Sequence, residues 1–345
     1  MKITKISVDG LFGKHYHTVS IFDGGLTYVH SPNGCGKSTL IRMISLLLTG
    51  NVTELTKIPF QRMDIFFEKG ENLIVVRSEN ELIIQMKRNE LETELTPADL
   101  ASITGVTFIS PERAYVRRGD GHIVPAAETY AHELSNKIKE TRKDHALNVP
   151  EYKDDMGDDE LIFKAKDLNA KLNFMRDAGF TVDIPAGLKF PPTRYDLTES
   201  RKEYLDLIHG ISEFVKKNHH LSESVIVFRD VINSFLADKD MTIDTKGTIS
   251  FVLGNGITLP IKDMSSGEKQ IFIMLYRLLF QALPSSFVMI DEPEISLHIM
   301  WQQRIGPVLK DIARLRDLQI LAATHSPQIV HDDWDLTNEL RAGSA

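Results

Sequence analysis

Residues 24–48 have the sequence GGLTYVHSPNGCGKSTLIRMISLLL, in which a short apolar run, a glycine-containing loop and a longer apolar segment follow one another. The first run predicts a strand, and TLIRMISLLL, apolar on most sides, predicts a buried helix. A loop ending in Gly-Lys-Ser between a strand and a helix typically cradles phosphate. Backbone N–H groups and the helix N-terminus face the anion, the lysine adds positive charge, and the hydroxyl holds Mg²⁺. The stretch therefore predicts ATP binding.

Three further motifs lie towards the other end of the chain. They are MSSGEKQ (264–270), FVMIDEPE (287–294) and AATHSP (322–327). FVMID predicts a hydrophobic strand that ends at two adjacent carboxylates, and LQILAATH predicts another strand that ends at a histidine. We therefore expect the two ends of the sequence to supply one active site.

The composition indicates a globular protein that folds without disulfides. The chain has 345 residues, of which 42% are hydrophobic and 26% charged, enough to bury one substantial core or two linked ones. The single cysteine cannot pair within the chain, and MKITKISVDG lacks an apolar signal core, so we expect a cytoplasmic protein. No run is long enough for a membrane span, so no membrane partner is expected. A net charge of −8 argues against whole-surface attraction for nucleic acid, while a local basic groove is compatible with it.

Apolar periodicity divides the chain into three predicted regions. An N-terminal lobe, 1–120, contains the phosphate loop and an antiparallel meander over 60–88, and a C-terminal lobe, 241–345, contains a hairpin and the three downstream motifs. Between them, 121–240 is polar and charge-rich with helical spacing, which predicts an inserted helical subdomain. Its helices are expected at 126–145, 158–178, 196–220 and 223–238. The predicted fold class is α/β, with an antiparallel β subdomain and this helical insertion.

The four motifs in this order resemble the ABC class of P-loop ATPases, on the SMC, RecF and OLD side rather than the transporter side. The resemblance implies an ABC-type P-loop NTPase head, ATP and Mg²⁺ as ligands, and slow hydrolysis of ATP to ADP and phosphate. Two further stretches, Ile-Ser-Leu-His at 295–298 and Trp-Asp-Leu-Thr at 334–337, resemble the ATPase subunits of bacterial anti-phage defence systems such as PARIS and Septu.

Most of the cofactor-binding residues that the resemblance implies lie in the phosphate loop. Lys37 is expected to reach the β- and γ-phosphates, Ser38 to ligate Mg²⁺, and Thr39 to help with the α-phosphate. Four backbone N–H groups are expected to wrap the phosphates, those of Asn33, Gly34, Cys35 and Gly36.

Two residues of the loop depart from the family pattern. Ser31 stands where the first glycine is usual, and a side chain there costs about 1 kcal/mol if the backbone is left-handed. That cost would weaken binding without abolishing it. Cys35 stands where alanine is common, and we interpret it as a small residue that fits. The alternative is a reactive thiol that acts as an oxidation switch.

The acidic and histidine motifs supply the expected chemistry. Asp291 ends a strand and is expected to hold Mg²⁺, and Glu292 is expected to polarise the attacking water. His325 is implied to contact the γ-phosphate as the switch histidine of the family. Glu112, in ISPER, stands where related proteins tend to have a glutamine that reaches Mg²⁺. We expect it to ligate the metal, with the alternative that it pairs with Arg113.

The signature residues Ser265, Ser266, Gly267 and Glu268 predict a helix N-terminus. In the resembled family this helix does not reach the lysine of its own chain but offers N–H groups and a serine to the γ-phosphate held by a second subunit. The resemblance therefore implies an ATP-dependent homo-oligomer, at least a dimer, with residues 296–298 lining the interface. Phe12 and Tyr16 are candidates for stacking on adenine, with core packing as the alternative.

Several functions share these motifs. A transporter ATPase usually has its signature much closer to the phosphate loop, and an OLD-type nuclease would carry a metal-binding domain after the switch histidine, where only 20 residues follow here. The leading hypothesis is an ATP-dependent sensor and scaffold that controls a separate effector, a nuclease or toxin, in anti-phage defence. The alternatives are a RecF- or SMC-like ATPase that repairs or structures DNA, and a nucleotide-locked assembly with negligible turnover.

Overall fold

The computed structural model describes residues 1–79, 81–89, 91–143, 156–244 and 246–341. The chain forms two compact units, one made of Met1–Tyr115 and Ser266–Ala345 and the other of Val116–Ser265. The strands are β1 (Ile3–Leu11), β2 (His15–Ser20), β3 (Leu26–His30), β4 (Arg62–Phe67), β5 (Asn72–Ser78), β6 (Glu81–Arg88), β7 (Leu91–Glu94), β8 (Val106–Ile109), β9 (Tyr115–Arg117), β10 (Ile123–Pro125), β11 (Lys239–Ile243), β12 (Ile249–Leu253), β13 (Thr258–Leu259), β14 (Phe287–Asp291), β15 (Gln319–Thr324) and β16 (Thr337–Glu339). The helices are α1 (Lys37–Leu48), α2 (Val52–Leu55), α3 (Pro97–Ile103), α4 (Ala126–Lys143), α5 (Asp158–Arg176), α6 (Arg194–Phe235), α7 (Ser266–Tyr276), α8 (Ile299–Arg316) and α9 (Pro327–Val330).

A parallel sheet in the first unit carries the motifs of both chain ends. Its strand order is β16-β3-β15-β14-β8, and every neighbouring pair is parallel. All of β14 is buried, as expected of a central parallel strand covered on both faces. Because parallel strands end at one edge of the sheet, the segments that follow β3, β14 and β15 lie together there.

The antiparallel sheet of the same unit has the strand order β2-β1-β4-β5-β6-β7. The predicted meander is confirmed as β4, β5 and β6, and β7 extends it. Helix α1 shares one hydrophobic core with both sheets, in which Ile44 of the helix is buried with Ile6 of the antiparallel sheet and Met289 of the parallel one. This shared core fixes the start of α1 relative to the edge of the parallel sheet.

The second unit contains α4, α5 and α6 with the antiparallel sheet β11-β12-β13. The predicted helix at 158–178 is confirmed, and the one at 126–145 is confirmed as far as Lys143, since residues 144 and 145 lie outside the described residues. The prediction of separate helices at 196–220 and 223–238 is wrong. Helix α6 runs through both, and its non-helical residue is Ser200. The helix continues because residues 221–225, LSESV, contain no glycine or proline. The Ser222 hydroxyl is satisfied within the helix, where it donates to the His219 carbonyl at 2.7 Å. None of the helices in the described ranges combines the length and apolarity that a membrane span requires.

Candidate active site

The loop between β3 and α1 has the geometry of an anion cradle. Gly34 and Gly36 have φ of 83° and 84°, the left-handed conformation that glycine adopts without strain. Helix α1 begins directly after Gly36. Within the described chain, the backbone N–H groups of residues 33–38 donate to no other backbone group. These donors and the helix N-terminus are available to an anion such as a phosphate.

Side chains of the β1–β2 hairpin contact this loop. A Cβ at Gly36 would lie 3.1 Å from Leu11 Cδ2, so the leucine side chain would have to move by a few tenths of an ångström to admit it. His17 Nε2 donates to the Cys35 carbonyl at 2.8 Å. Burial lowers the pKa of His17, while the hydrogen bond to Cys35 acts in the opposite direction. None of the sequence motifs includes His17, although the alternation of HYHTVS indicates that its side chain faces inwards.

Lys37 is buried at the centre of the site. Its Nζ donates to the carbonyl and the hydroxyl of Ser31, both at 2.9 Å, and lies 3.2 Å from His325 Nδ1. Burial lowers the pKa of the ammonium, and the negative charge of Asp291 is among those that oppose the shift. The two ends of the sequence therefore meet at Lys37.

The backbone of Ser31 is not strained, although its place in the motif, where glycine is usual, raised that question. Its φ is not positive, so the condition for the cost of about 1 kcal/mol is absent. Its side chain instead accepts from Lys37 and donates to the Pro32 carbonyl at 2.9 Å. Cys35 is buried, with 3% of its surface exposed, which favours the interpretation as a small fitting residue over an accessible redox thiol.

Ser38 and Asp291 provide oxygen atoms suited to Mg²⁺. Burial raises the pKa of Asp291, and a hydrogen bond from the Ser38 side chain acts in the opposite direction. Asp291 Oδ1 is buried and has no hydrogen-bond partner in the described part of the chain. A hydroxyl and a carboxylate with one unsatisfied oxygen fit a hard cation that prefers oxygen ligands.

Glu292 has an uncommon backbone conformation. Its φ is 49°, which costs a non-glycine residue roughly 1 kcal/mol or more. Its N–H donates to the Ala323 carbonyl at 2.9 Å, which holds the residue between β14 and β15. Asp291 is the last residue of β14, and the left-handed conformation begins at Glu292.

Glu294 organises the segment that carries His325. Its Oε1 accepts from Thr324 Oγ1 at 2.8 Å, from the His325 N–H at 2.7 Å and from the Ser326 N–H at 3.2 Å. His325 itself is exposed, with Nδ1 directed towards Lys37. The motifs assign no separate role to Glu294.

Arg113 is another residue to which the motifs assign no role in the site. Its guanidinium makes long contacts of 3.3–3.5 Å to the backbone carbonyls of residues 110 and 291–293. Burial lowers its pKa to about 10, and the charge of Glu294 opposes that shift. Glu112 is exposed, and the contacts of the Arg113 guanidinium within the described chain go to backbone carbonyls, so the role of Glu112 as a metal ligand stays a prediction.

The signature segment opens α7, as predicted. Ser265 and Ser266 are exposed, and Glu268 lies in the first turn. Gly267 is buried, and a Cβ there would lie 2.7 Å from the Ser296 carbonyl oxygen. In the described chain, the hydrogen bonds of Lys37 go to Ser31 and His325, so no hydrogen bond joins it to this segment.

The two aromatic candidates for the base are on the surface. Phe12 is 46% exposed and Tyr16 is 59% exposed, so the alternative of core packing is wrong. Both lie on the β1–β2 hairpin whose Leu11 and His17 pack beneath the phosphate loop.

Comparison with known families gives one match over most of the chain. The family described as "AAA domain, putative AbiEii toxin, Type IV TA system" matches residues 32–331. The curated proteins contain no significant match to the sequence.

Comparison with solved structures gives SMC head domains. The SMC head domain from Thermotoga maritima is 13% identical, with a TM-score of 0.48 and coverage of 98% of this chain and 94% of that one. An Smc head domain with an extended coiled coil, bound to the C-terminal domain of ScpA and derived from Pyrococcus furiosus, is 13% identical with a TM-score of 0.48, covering 95% and 91%. An SmcHead bound to the C-winged helix domain of ScpA is 14% identical with a TM-score of 0.50, covering 95% and 91%. The last likeness, with the α/β architecture above, identifies the fold as that of a P-loop NTPase head.

Proposed function

The chain belongs to the family described as "AAA domain, putative AbiEii toxin, Type IV TA system" and is an ATPase of the AAA class; we propose that it binds Mg-ATP between two copies of itself, hydrolyses it slowly and thereby controls a separate effector. The observation that carries the proposal is the meeting of four predicted residues at one edge of the parallel sheet. Lys37 Nζ lies 3.2 Å from His325 Nδ1, and the Ser38 side chain lies near enough to Asp291 to oppose the rise in the pKa of that carboxyl.

The phosphate loop binds the triphosphate in this proposal. The N–H groups of residues 33–38 and the start of α1 face the phosphate oxygens, and Lys37 exchanges its Ser31 contacts for the β- and γ-phosphates. Ser38 and Asp291 hold Mg²⁺, and Glu112 is a further proposed ligand. When bound, the ion neutralises charge on the phosphates.

Two residues next to the sheet edge promote hydrolysis. Glu292, held in its left-handed turn, accepts a proton from the water that attacks the γ-phosphate. His325 contacts the γ-phosphate from the end of β15. Residues held in strained backbone conformations are often found at active sites. The strained backbone of Glu292 therefore supports a catalytic role for this residue.

The signature segment completes the site of another copy. Ser265 and Ser266 are exposed at the start of α7, where they are accessible to the nucleotide of a partner subunit. ATP thus joins two copies, and its hydrolysis releases them. Phe12 and Tyr16 offer exposed rings to the adenine.

The proposed biological role is that of a sensor and scaffold in anti-phage defence, as in the resembled PARIS and Septu systems. The description of the family, which names a putative toxin and a toxin–antitoxin system, supports an association with a toxic effector. The single buried cysteine is compatible with action in the cytoplasm.

The glutamate of the acidic pair provides the test. Glu292→Gln removes the general base but keeps the size of the side chain, so we expect phosphate release to fall about 100-fold or more while ATP affinity changes by less than about threefold. Steady-state phosphate release and titration with a fluorescent ATP analogue measure the two quantities. Lys37→Ala is the control, in which binding itself is lost. Turnover of Glu292→Gln at the wild-type rate would refute the assigned role, and a wild-type protein that binds ATP without turnover would favour the nucleotide-locked assembly.

The second candidate function is that of an ATPase that repairs or structures DNA, favoured by the likeness of fold to SMC heads. Electrophoretic mobility shifts with DNA and ATP distinguish the two candidates. A shift that requires ATP and is abolished by Lys37→Ala would favour the DNA function over the control of an effector.

A further inference from the structure

The side chain of Glu294 connects two loops of the proposed site, the one after β14 and the one after β15. It follows Asp291, Glu292 and Pro293 after β14, yet its carboxylate bonds to the segment after β15. The acidic motif and the histidine motif are thus joined by a side chain to which neither the family motifs nor the proposed function assigns a role.

The hydrogen bonds of Glu294 are concentrated on one oxygen. Oε1 accepts three bonds, two of them from consecutive backbone N–H groups of His325 and Ser326. Oε2 is buried and has no partner in the described part of the chain. An oxygen that accepts bonds from two consecutive backbone N–H groups and from the neighbouring threonine hydroxyl holds the loop that supplies them in one conformation, because those donors would otherwise lose this partner.

The position of His325 follows from this contact. The residue is exposed, and its Nδ1 lies 3.2 Å from Lys37 Nζ. An exposed side chain at the end of a strand has several rotamers, so its orientation depends on how firmly its backbone is held. We propose that Glu294 is a positioning residue for ATP hydrolysis, whose Oε1 holds the Thr324–Ser326 loop so that the His325 imidazole faces the γ-phosphate site. The proposal rests on the proposed function of the same site.

A purely structural role is the competing explanation. Glu294 is the acidic residue whose charge acts most strongly on the buried Arg113, and Arg113 contacts the carbonyls of residues 291–293. In that explanation the negative charge of Glu294 matters and the reach of its oxygen does not. The two explanations make opposite predictions for the two conservative variants.

Glu294→Gln keeps a carbonyl oxygen at the same reach but removes the charge, whereas Glu294→Asp keeps the charge and shortens the side chain by one methylene group. If Glu294 positions His325, Glu294→Ala and Glu294→Asp lower kcat about 10- to 100-fold with little change in ATP affinity, and Glu294→Gln recovers most of that loss. The reverse order of the Asp and Gln variants would overturn the proposal.

Coupling to His325 is the second measurement. If both residues act through one imidazole, Glu294→Ala and His325→Ala together reduce kcat no further than His325→Ala alone. If the double variant loses as much kcat as the product of the two single losses, the proposal is overturned. Thermal unfolding of each variant identifies any that fails to fold, in which case the Asp and Gln variants decide.

A measurement without nucleotide separates this proposal from the proposed function. The ¹⁵N-detected imidazole signals of His325 are assigned in the wild-type protein by their absence from His325→Ala. Relative to the wild-type protein, these signals should shift in Glu294→Ala and Glu294→Asp but not in Glu294→Gln. Unchanged signals in the first two variants would overturn the positioning role. If the wild-type protein releases no phosphate, the proposed function fails and these signals alone decide whether Glu294 positions His325.

Discussion

At the scale of the residue, Ser31 shows how a departure from a motif is resolved by local geometry. The position is not left-handed, so the advantage that glycine has at positive φ does not apply. The hydroxyl contacts the buried ammonium of Lys37 at 2.9 Å. Serine at this position therefore adds a contact to the loop instead of straining it.

The free energy of unfolding of two Ser31 variants tests that interpretation. Ser31→Ala removes one hydrogen bond to a charged group and is expected to lower stability by about 1–2 kcal/mol. Ser31→Gly is expected to cost about 0.5–1 kcal/mol more, because glycine increases the conformational entropy of the unfolded chain. Urea denaturation measures both, with Ser78→Ala at the exposed end of β5 as control. A gain of stability in Ser31→Gly would indicate that the backbone is strained after all.

Motif spacing was sufficient to predict that Lys37, Ser38, Asp291 and His325 share a site, since each stands at a strand end or a helix start. It was insufficient for Arg113 and Glu294. Their roles depend on long-range contacts to backbone carbonyls and N–H groups, to which the residue types along the chain give no clue. Buried charged residues have such partners in folded proteins, but sequence alone does not say which.

At the scale of the element, the packing of α7 depends on a glycine. Gly267 lies against the Ser296 carbonyl, in the segment between the acidic pair and α8. Ser296 has φ of 62°, so this segment is itself held in an uncommon conformation. The start of the signature helix and the segment after the acidic pair are therefore in direct contact within one chain.

Substitution of this glycine tests the contact. A Cβ at 2.7 Å from a backbone oxygen forces one of the two segments to move, so Gly267→Ala should lower the free energy of unfolding by about 1–3 kcal/mol. Gly254→Ala is the matched control, because its φ is not positive and nothing lies within 4 Å of the added Cβ. Urea denaturation compares the two, and equal stability of both variants would contradict the close packing of α7.

The sequence predicted helices and strands correctly where the apolar periodicity is strong. It did not predict correctly where a helix continues, as in α6. The strands and α1 follow from runs such as FVMID and TLIRMISLLL, which match one period clearly. In α6, residues 221 and 222 lie between the two predicted helices, but a gap in the predicted ranges does not end a helix whose buried face continues. Val225, Phe228 and Ile232 continue that buried face.

At the scale of the whole molecule, one chain carries two incomplete halves of the proposed site. The phosphate loop, Asp291 and His325 meet at one edge of the parallel sheet, and the exposed Ser265 and Ser266 at the start of α7 have no hydrogen bond to Lys37. In the proposed function such a division makes hydrolysis depend on assembly, because two copies are needed to contact the triphosphate from both sides.

Mixing two inactive variants tests this division. Lys37→Ala lacks a working phosphate loop, and Ser266→Arg places a bulky charge at the signature, so each alone should be inactive as a homodimer. In an equal mixture half of the dimers are mixed, and each mixed dimer joins one intact loop to one intact signature, so activity should return to about a quarter of the wild-type value. Phosphate release before and after mixing measures the recovery, and light scattering of Glu292→Gln with Mg-ATP measures the dimer directly. An inactive mixture, in which both variants are folded and Glu292→Gln stays monomeric with Mg-ATP, would refute a site shared between copies.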